Sequence, residues 1–295
     1  MMRKGTILVA TDLSDVSKEA VRVGQRLAAL MEVSWEVMHI IDEGESGPFD
    51  IRGWWSKKPS KKDLAIERLE EWCEEVSGEK PDETQVITGL PDHELRKRAS
   101  QNGVTCLVMA MSGRGAWNRL VFGSTALKLS SRPPCPVAVV HPDHHRLGSG
   151  IRVGLGTDFS DASSYALPTA AWLSRRLQGS LDIVFAHALP SSTVIHEGPP
   201  GQESTEIVDW GREKMDAFVQ QHDQELQGID VNSHIIADHP VSGLRQFVEN
   251  QGIDWLVLGD RAPKERRGAT TVKGKWVQRM TCSTLIIPSL PQEAA

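Results

Sequence analysis

The chain has 295 residues, 39% hydrophobic and 24% charged, the balance of a folded globular protein with room for two cores. Its formal net charge of -6 lacks the basic excess of a dedicated nucleic-acid binder. The first apolar run, Ile7-Leu8-Val9-Ala10, breaks at Thr11-Asp12, too short for a signal peptide or a membrane span, so the expected location is the cytoplasm with no membrane partner. The four cysteines (Cys73, Cys106, Cys135, Cys282) lie far apart with no C-x-x-C pair, which predicts buried free thiols rather than disulfides or a zinc site.

In chain order, Ile7 to Ala10 reads as a buried strand. A helix follows, capped at Ser14 or Asp15, with Ala20, Val23, Gly24, Leu27 and Ala28 on one face. A second strand runs from Glu36 to Ile41. The connection Gly47 to Lys62, with Trp54-Trp55 and four lysines, reads as a lid or a packing anchor. A helix from about Asp63 to Val76 is expected to turn Leu64, Leu69, Trp72 and Val76 inward. Then come strand Thr84 to Thr88, helix Asp92 to Gln101, strand Val104 to Met109, helix Ser124 to Ser130 and strand Val137 to Val140. Strands alternating with helices imply right-handed crossovers and a parallel sheet covered on both faces.

The same order recurs from Ile151 to Pro288. Asp12 aligns with Asp158, His39 with His187, Pro91 with Pro240, Gly103 with Gly252 and Cys135 with Cys282, at offsets of 146, 148, 149, 149 and 147. Steady spacing over a domain length means duplication. We therefore expect one domain over 1–142, a linker over 143–150 and a second domain over 151–295. His39 and His187, inside apolar strands, read as core histidines satisfied by hydrogen bonds. Pro168, inside the first helix of the second unit, is expected to kink it.

Function points to the end of the fourth strand. Met109 to Gly115 runs into a glycine-containing loop, and Gly123-Ser124-Thr125 then opens a helix, so backbone N–H groups and a helix N-terminus converge where an anion could sit. In a doubly wound sheet that loop adjoins the end of strand one at the reversal of strand order, where ligands bind.

The opening Ile-Leu-Val-Ala-Thr-Asp, the His39-Ile40 strand end, the Gly89-Leu90-Pro91 turn, the loop after strand four and Pro134-Cys135-Pro136-Val137 together resemble the universal stress protein family in its tandem two-domain form. The resemblance implies two Rossmann-like α/β domains of the adenine nucleotide alpha-hydrolase-like kind, each with five parallel strands in the order 3-2-1-4-5 and helices on both faces. It also implies pairing of final strands across a dimer, which a tandem chain can satisfy as an intramolecular pseudo-dimer; a homodimer of tandem chains is conceivable as well.

Nucleotide-binding members of that family carry Gly, two residues, Gly, nine residues, then Gly-Ser or Gly-Thr. Here Gly113, Gly123 and Ser124 fit, and Ala110 replaces the first glycine. By resemblance, Ala10, Thr11, Asp12 and Ile40 line the adenosine end of the site. Met109, Ala110, Ser112, Gly113, Gly123, Ser124 and Thr125 line the ribose and phosphate end, and Arg114 reaches toward a phosphate. Asp12, which would repel phosphates, suits ribose hydroxyls instead. The implied ligand is ATP or a related adenine nucleotide, with or without Mg²⁺, held as a regulatory ligand and read by an unidentified protein partner. No catalytic residue and no protein metal ligand is expected.

In the second unit Gly259-Asp260-Arg261-Ala262 keeps the first glycine and loses the second, and Thr270-Thr271 stands in place of Gly-Ser, so that site is expected to be degenerate. Two other functions stay open: a family member that binds no nucleotide and acts as an interaction scaffold, and a slow ATPase. The second needs a base or metal-organising carboxylate, and Ala110 to Thr125 holds no acid and no histidine.

Overall fold

The computed structural model describes residues 5–41, 59–111, 123–143, 146–187, 202–260, 276 and 279–289, in two compact units, Met1–His145 and Arg146–Ala295. In the first unit the elements are β1 (Thr6–Thr11), α1 (Asp15–Met31), β2 (Ser34–Ile41), α2 (Pro59–Ser77), β3 (Glu83–Thr88), α3 (Pro91–Ala99), β4 (Val104–Ala110), α4 (Ser124–Ser131) and β5 (Val137–Val140). Every strand pairing is parallel, in the order β3-β2-β1-β4-β5. Helices α1 and α2 pack together on one face and α3 and α4 on the other. The central strands are therefore buried on both sides: Ile7, Leu8, Val9, Val37, Leu107 and Val108 have no exposure at all.

Local chemistry accounts for the element ends. Ser14 caps α1 by accepting the Ser17 N–H, and Glu32 closes it in the left-handed region at φ 56. The buried face of α1 holds Ala20, Val23, Gly24, Leu27 and Ala28, as helical spacing predicts. Pro91 opens α3, with Arg96, Lys97 and Arg98 in its last turn, where cations favour the helix dipole. Helix α2 departs from expectation. Leu69 and Cys73 are buried, but Leu64 is exposed and Trp72 half-buried. At about 100° per residue Leu64 lies about 140° around the helix from Leu69, outside the buried stripe.

The second unit comprises β6 (Arg152–Thr157), α5 (Asp161–Arg176), β7 (Ser180–Ala186), α6 (Gln202–Gln221), α7 (Asp223–Leu226), β8 (Asp230–Ile236), α8 (Pro240–Gln251), β9 (Trp255–Asp260) and β10 (Ser283–Pro288). Its strands are again parallel, in the order β10-β9-β6-β7-β8. Segment 146–150 is tied to this unit: the Trp255 indole donates to the Arg146 carbonyl at 2.9 Å and the Gly150 N–H to the Leu177 carbonyl at 2.8 Å. Helix α5 runs on through Pro168 without a break. Among the described residues no helix is long and apolar enough to cross a membrane.

Strand registers correct one alignment of the repeat. Thr11 pairs with His39 and Thr157 with Phe185, so the offset of 146 still holds along the second strand and Phe185, not His187, stands in the place of His39.

The same position on each second strand carries a fully buried acid. Glu36 is bonded by Arg98 from α3, through Nε at 3.0 Å and through Nη2. Asp182 is gripped by Arg152 through Nη2 at 2.9 Å and Nε at 3.2 Å, and by His234 Nε2 at 2.8 Å. Burial pushes the Glu36 carboxyl up, with Arg98 pulling against it.

Candidate functional site

The order β3-β2-β1-β4-β5 makes β1 and β4 neighbours whose crossovers leave to opposite sides, which opens a crevice at their carboxyl ends. Val9 pairs with Val108, so Ala10, Thr11 and Asp12 come level with Met109, Ala110 and Met111. Ala10 pairs with Met38 and Thr11 with His39 across β2, with Ile40 one step further. The sheet thus collects Ala10, Thr11, Asp12, Ile40, Met109 and Ala110 at one edge. Met109 is buried; Ala10, Asp12, Ile40 and Ala110 are half-buried.

The turn after β1 is built from short polar side chains. Leu13 adopts φ 63, held by its N–H on Thr11 Oγ1 at 3.0 Å. Asp12 Oδ1 accepts from the Ser14 N–H at 3.0 Å and the Ser14 hydroxyl at 2.6 Å. Ser17 donates its hydroxyl to the Ser14 carbonyl at 2.8 Å and lies 2.9 Å from Thr11 Oγ1. His39 donates from Nδ1 to the Thr11 carbonyl at 2.9 Å, which makes it a satisfied core histidine. Ser14 caps α1, and Asp12 holds the turn that places the cap.

The second unit repeats this device: Asp158 Oδ1 accepts from the Ser160 N–H at 3.1 Å and the Ser163 hydroxyl at 2.9 Å, and Phe159 takes φ 60. The aspartate is therefore kept in both units as part of the turn. Asp12 is half-buried, and Asp158 is exposed.

At the other wall, Met111 extends β4 by donating its N–H to the Val140 carbonyl at 2.9 Å, and its own carbonyl accepts the Gly123 N–H at 2.9 Å. These bonds bring both ends of the connecting loop to the strand end. Gly123 sits at φ -66 and ψ 139, open to any residue, and caps α4 without a side-chain bond. The first N–H groups of α4, at Ser124 and Thr125, thus lie at the crevice with no side-chain cap from Gly123, and the positive end of the helix dipole is directed there. Ser112, Gly113 and Arg114 fall outside the described residues, as do Trp54 and Trp55 and the second unit's Ala262, Thr270 and Thr271.

The two units differ where sequence reading placed the first glycine. Ala110 lies outside the left-handed region, so its methyl group strains nothing. Gly259 takes the equivalent position, and a Cβ there would fall 2.1 Å from the Ala162 carbonyl oxygen. Helix α5 closes directly onto the end of β9, and the glycine is kept for that contact. Gly156, matching Ala10, would likewise meet the Leu258 side chain at 2.6 Å. In the second unit helix α5 and the Leu258 side chain thus approach the strand ends closely at the points where the first unit carries two methyl groups.

Aromatic side chains gather at the turn after β6, a feature sequence reading missed. Phe159 and Phe185 meet at 4.7 Å, with Phe218 6.0 Å and Trp210 6.1 Å from Phe159. The available signal was the replacement of Leu13 and His39 by phenylalanine in the repeat, legible only once the register is correct.

Among the described residues no group of three His, Cys, Asp or Glu side chains could hold a metal ion. All four cysteines are free and buried; burial pushes the Cys73 thiol up to about 12 and Cys135 up to about 11, and raises Cys106 and Cys282 further.

Comparison with known proteins agrees with this architecture. The family model described as "Universal stress protein family" matches residues 4–141 and again 152–288. A universal stress protein of Methanocaldococcus jannaschii is 25% identical over 142 residues, 45% of this chain and 80% of its own. The universal stress protein YxiE of Bacillus subtilis is 27% identical over 146 residues, 45% of this chain and 97% of its own. The crystal structure of a universal stress protein from Archaeoglobus fulgidus superposes over 97% of this chain and 98% of its own, with a TM-score of 0.66 at 19% identity.

Proposed function

We propose that this chain, which belongs to the universal stress protein family, is a cytoplasmic stress-response protein that binds ATP or a related adenine nucleotide in its first unit only, as a regulatory ligand. The observation that carries the proposal is the crevice between β1 and β4. There the Thr11-Asp12 turn, the Met109-Ala110 strand end and the start of α4 come together, the last through the Gly123-to-Met111 bond. In this reading Ala10, Thr11, Asp12 and Ile40 contact the adenosine. Met109, Ala110, Ser112, Gly113, Gly123, Ser124 and Thr125 contact the ribose and phosphates, and Arg114 supplies charge. Asp12, fixed in its turn by Ser14, faces the ribose hydroxyls in this reading. Mg²⁺, where it accompanies the nucleotide, is held by the phosphates.

The second unit binds nothing of this kind, because Gly259 and Gly156 serve close packing and the phenylalanines fill the turn region. Turnover is not part of this proposal: among the described residues the crevice brings no general base and no metal-organising carboxylate beyond Asp12. The occupied state is what a protein partner reads. The Ala110 methyl group supports a second reading, an interaction scaffold that holds no nucleotide.

Thermal unfolding with and without ATP and Mg²⁺ separates the two. A ligand present at 100 times its dissociation constant stabilises the folded state by about 2.7 kcal/mol. For a unit of this size that raises the first unit's melting temperature by roughly 5–10 °C. Gly123→Val, whose backbone angles suit a β-branched residue, should keep the fold and abolish the shift. No shift for the unsubstituted chain at millimolar nucleotide selects the scaffold.

A further inference from the structure

In the second unit β8 ends the sheet, paired with β7 on one side and, among the described residues, with nothing on the other. The Ile236 carbonyl accepts the His187 N–H at 3.0 Å, so it points toward β7. By the two-residue alternation of a strand, Asn232 and His234 point the same way, and Ser233 and Ile235 turn their N–H and C=O groups to the open edge.

That edge lies in a cleft of about 480 Å³ floored by Ser233 to Ile236. Helix α6 forms one wall with Val208 and Met215, rimmed by the exposed Arg212 and Asp216, and α8 forms the other with Phe247 and Gln251. Side chains alternate between the walls. Ile235 lies under Gly211 of α6, where an added Cβ would meet it at 3.2 Å, and Ile236 under Gly243 of α8, at 2.9 Å. The α8 wall is held from beneath: the His234 ring packs at a tilt 4.7 Å from that of Phe247 and bonds through Nε2 to Asp182, itself fixed by Arg152. The strand carries neither lysine nor proline, the usual devices that blunt an edge.

We propose that this cleft is a peptide-binding site in which an extended segment of a partner protein adds to the sheet as a strand beside β8, main chain against Ser233 and Ile235 and uncharged, β-branched or apolar side chains against both walls. Two arguments select a single extended strand. Backbone donors and acceptors in register along about 13 Å of edge are matched by another extended backbone and by no compact ligand. A second copy of this edge would bring its own α6 and α8 and meet the walls, whereas an unflanked peptide enters between them. Neither argument depends on nucleotide in the first unit.

The test uses the full chain without nucleotide and, as probe, a capped hexapeptide alternating valine and threonine. Millimolar probe should slow amide hydrogen exchange at Ser233 and Ile235, as read by NMR. Methylating the probe's backbone nitrogens that face β8 should weaken binding about tenfold or more, the effect of losing backbone hydrogen bonds to an edge. Ser233→Pro, at an exposed edge position whose N–H faces outward, should do the same. Absence of protection at millimolar probe overturns the proposal, and so does binding indifferent to the methylated probe, a result that needs no folded variant. A concentration-dependent dimer abolished by Ser233→Pro would make the occupant a second copy and overturn it as well.

Discussion

Arg98→Met leaves Glu36 in the core without the guanidinium that now bonds both of its oxygens. Glu36 has no solvent exposure, so its carboxylate cannot turn to water. Removing one partner of such a pair costs about 3–5 kcal/mol while the other stays ionised. The carboxyl escapes by taking a proton, and burial already raises its pKa above 4.5 with Arg98 present. In the variant both lowering influences of Arg98 are gone and the pKa rises further.

A folded-state pKa above the unfolded one means that the native chain binds more protons between the two values, so the variant loses stability as pH rises through that window. The deficit relative to the unsubstituted chain should be about 3–5 kcal/mol at pH 8, should shrink by up to about 1.4 kcal/mol for each pH unit lowered, and should be smallest near pH 5. Urea unfolding at pH 5, 6, 7 and 8, following the first unit's transition, measures it. Adding Glu36→Gln to the variant should remove the pH dependence. A deficit that is the same at pH 5 and pH 8, or below about 1 kcal/mol at pH 8, would refute the assignment of a buried, Arg98-held carboxylate.

Gly259→Ala forces a methyl group onto the Ala162 carbonyl and should destabilise the second unit by about 1–3 kcal/mol, seen as a lower melting temperature for that unit alone in calorimetry. Ala110→Gly in the first unit opens no clash and should cost at most about 1 kcal/mol; equal losses for the two substitutions would mean that the crevices are alike. The buried thiols should react with iodoacetamide at pH 8 only through unfolding, so labelling of Cys73, Cys106 and Cys135 should accelerate with denaturant as the first unit unfolds and that of Cys282 as the second does; fast labelling of any one in buffer would contradict its burial.

The parallel sheet, the Ser14 cap and the apolar face of α1 were legible in the sequence from alternation and local spacing, whereas the order of the strands was legible only through the family resemblance. The turn at Thr11-Asp12 was legible as a position but not as a mechanism, since Asp12 bonds Ser14 only once Leu13 adopts positive φ. Leu64 misled because hydrophobicity was counted without its angle around the helix. His187 was matched to His39 by identity, and strand register, a property of pairing, moved the match to Phe185. Gly259 read as half of a phosphate loop because a glycine retained for helix-to-strand contact looks the same in a sequence as one retained for a ligand. The cleft beside β8 left no motif at all, for it arises from which amides an edge strand turns outward.

Calorimetric titration of ATP and Mg²⁺ into the full chain, previously stripped of bound ligand, tests the central claim most directly. One site per chain is expected, lost in Gly123→Val and retained in Gly259→Ala. Two equivalent sites, or a single site that survives Gly123→Val, would contradict it.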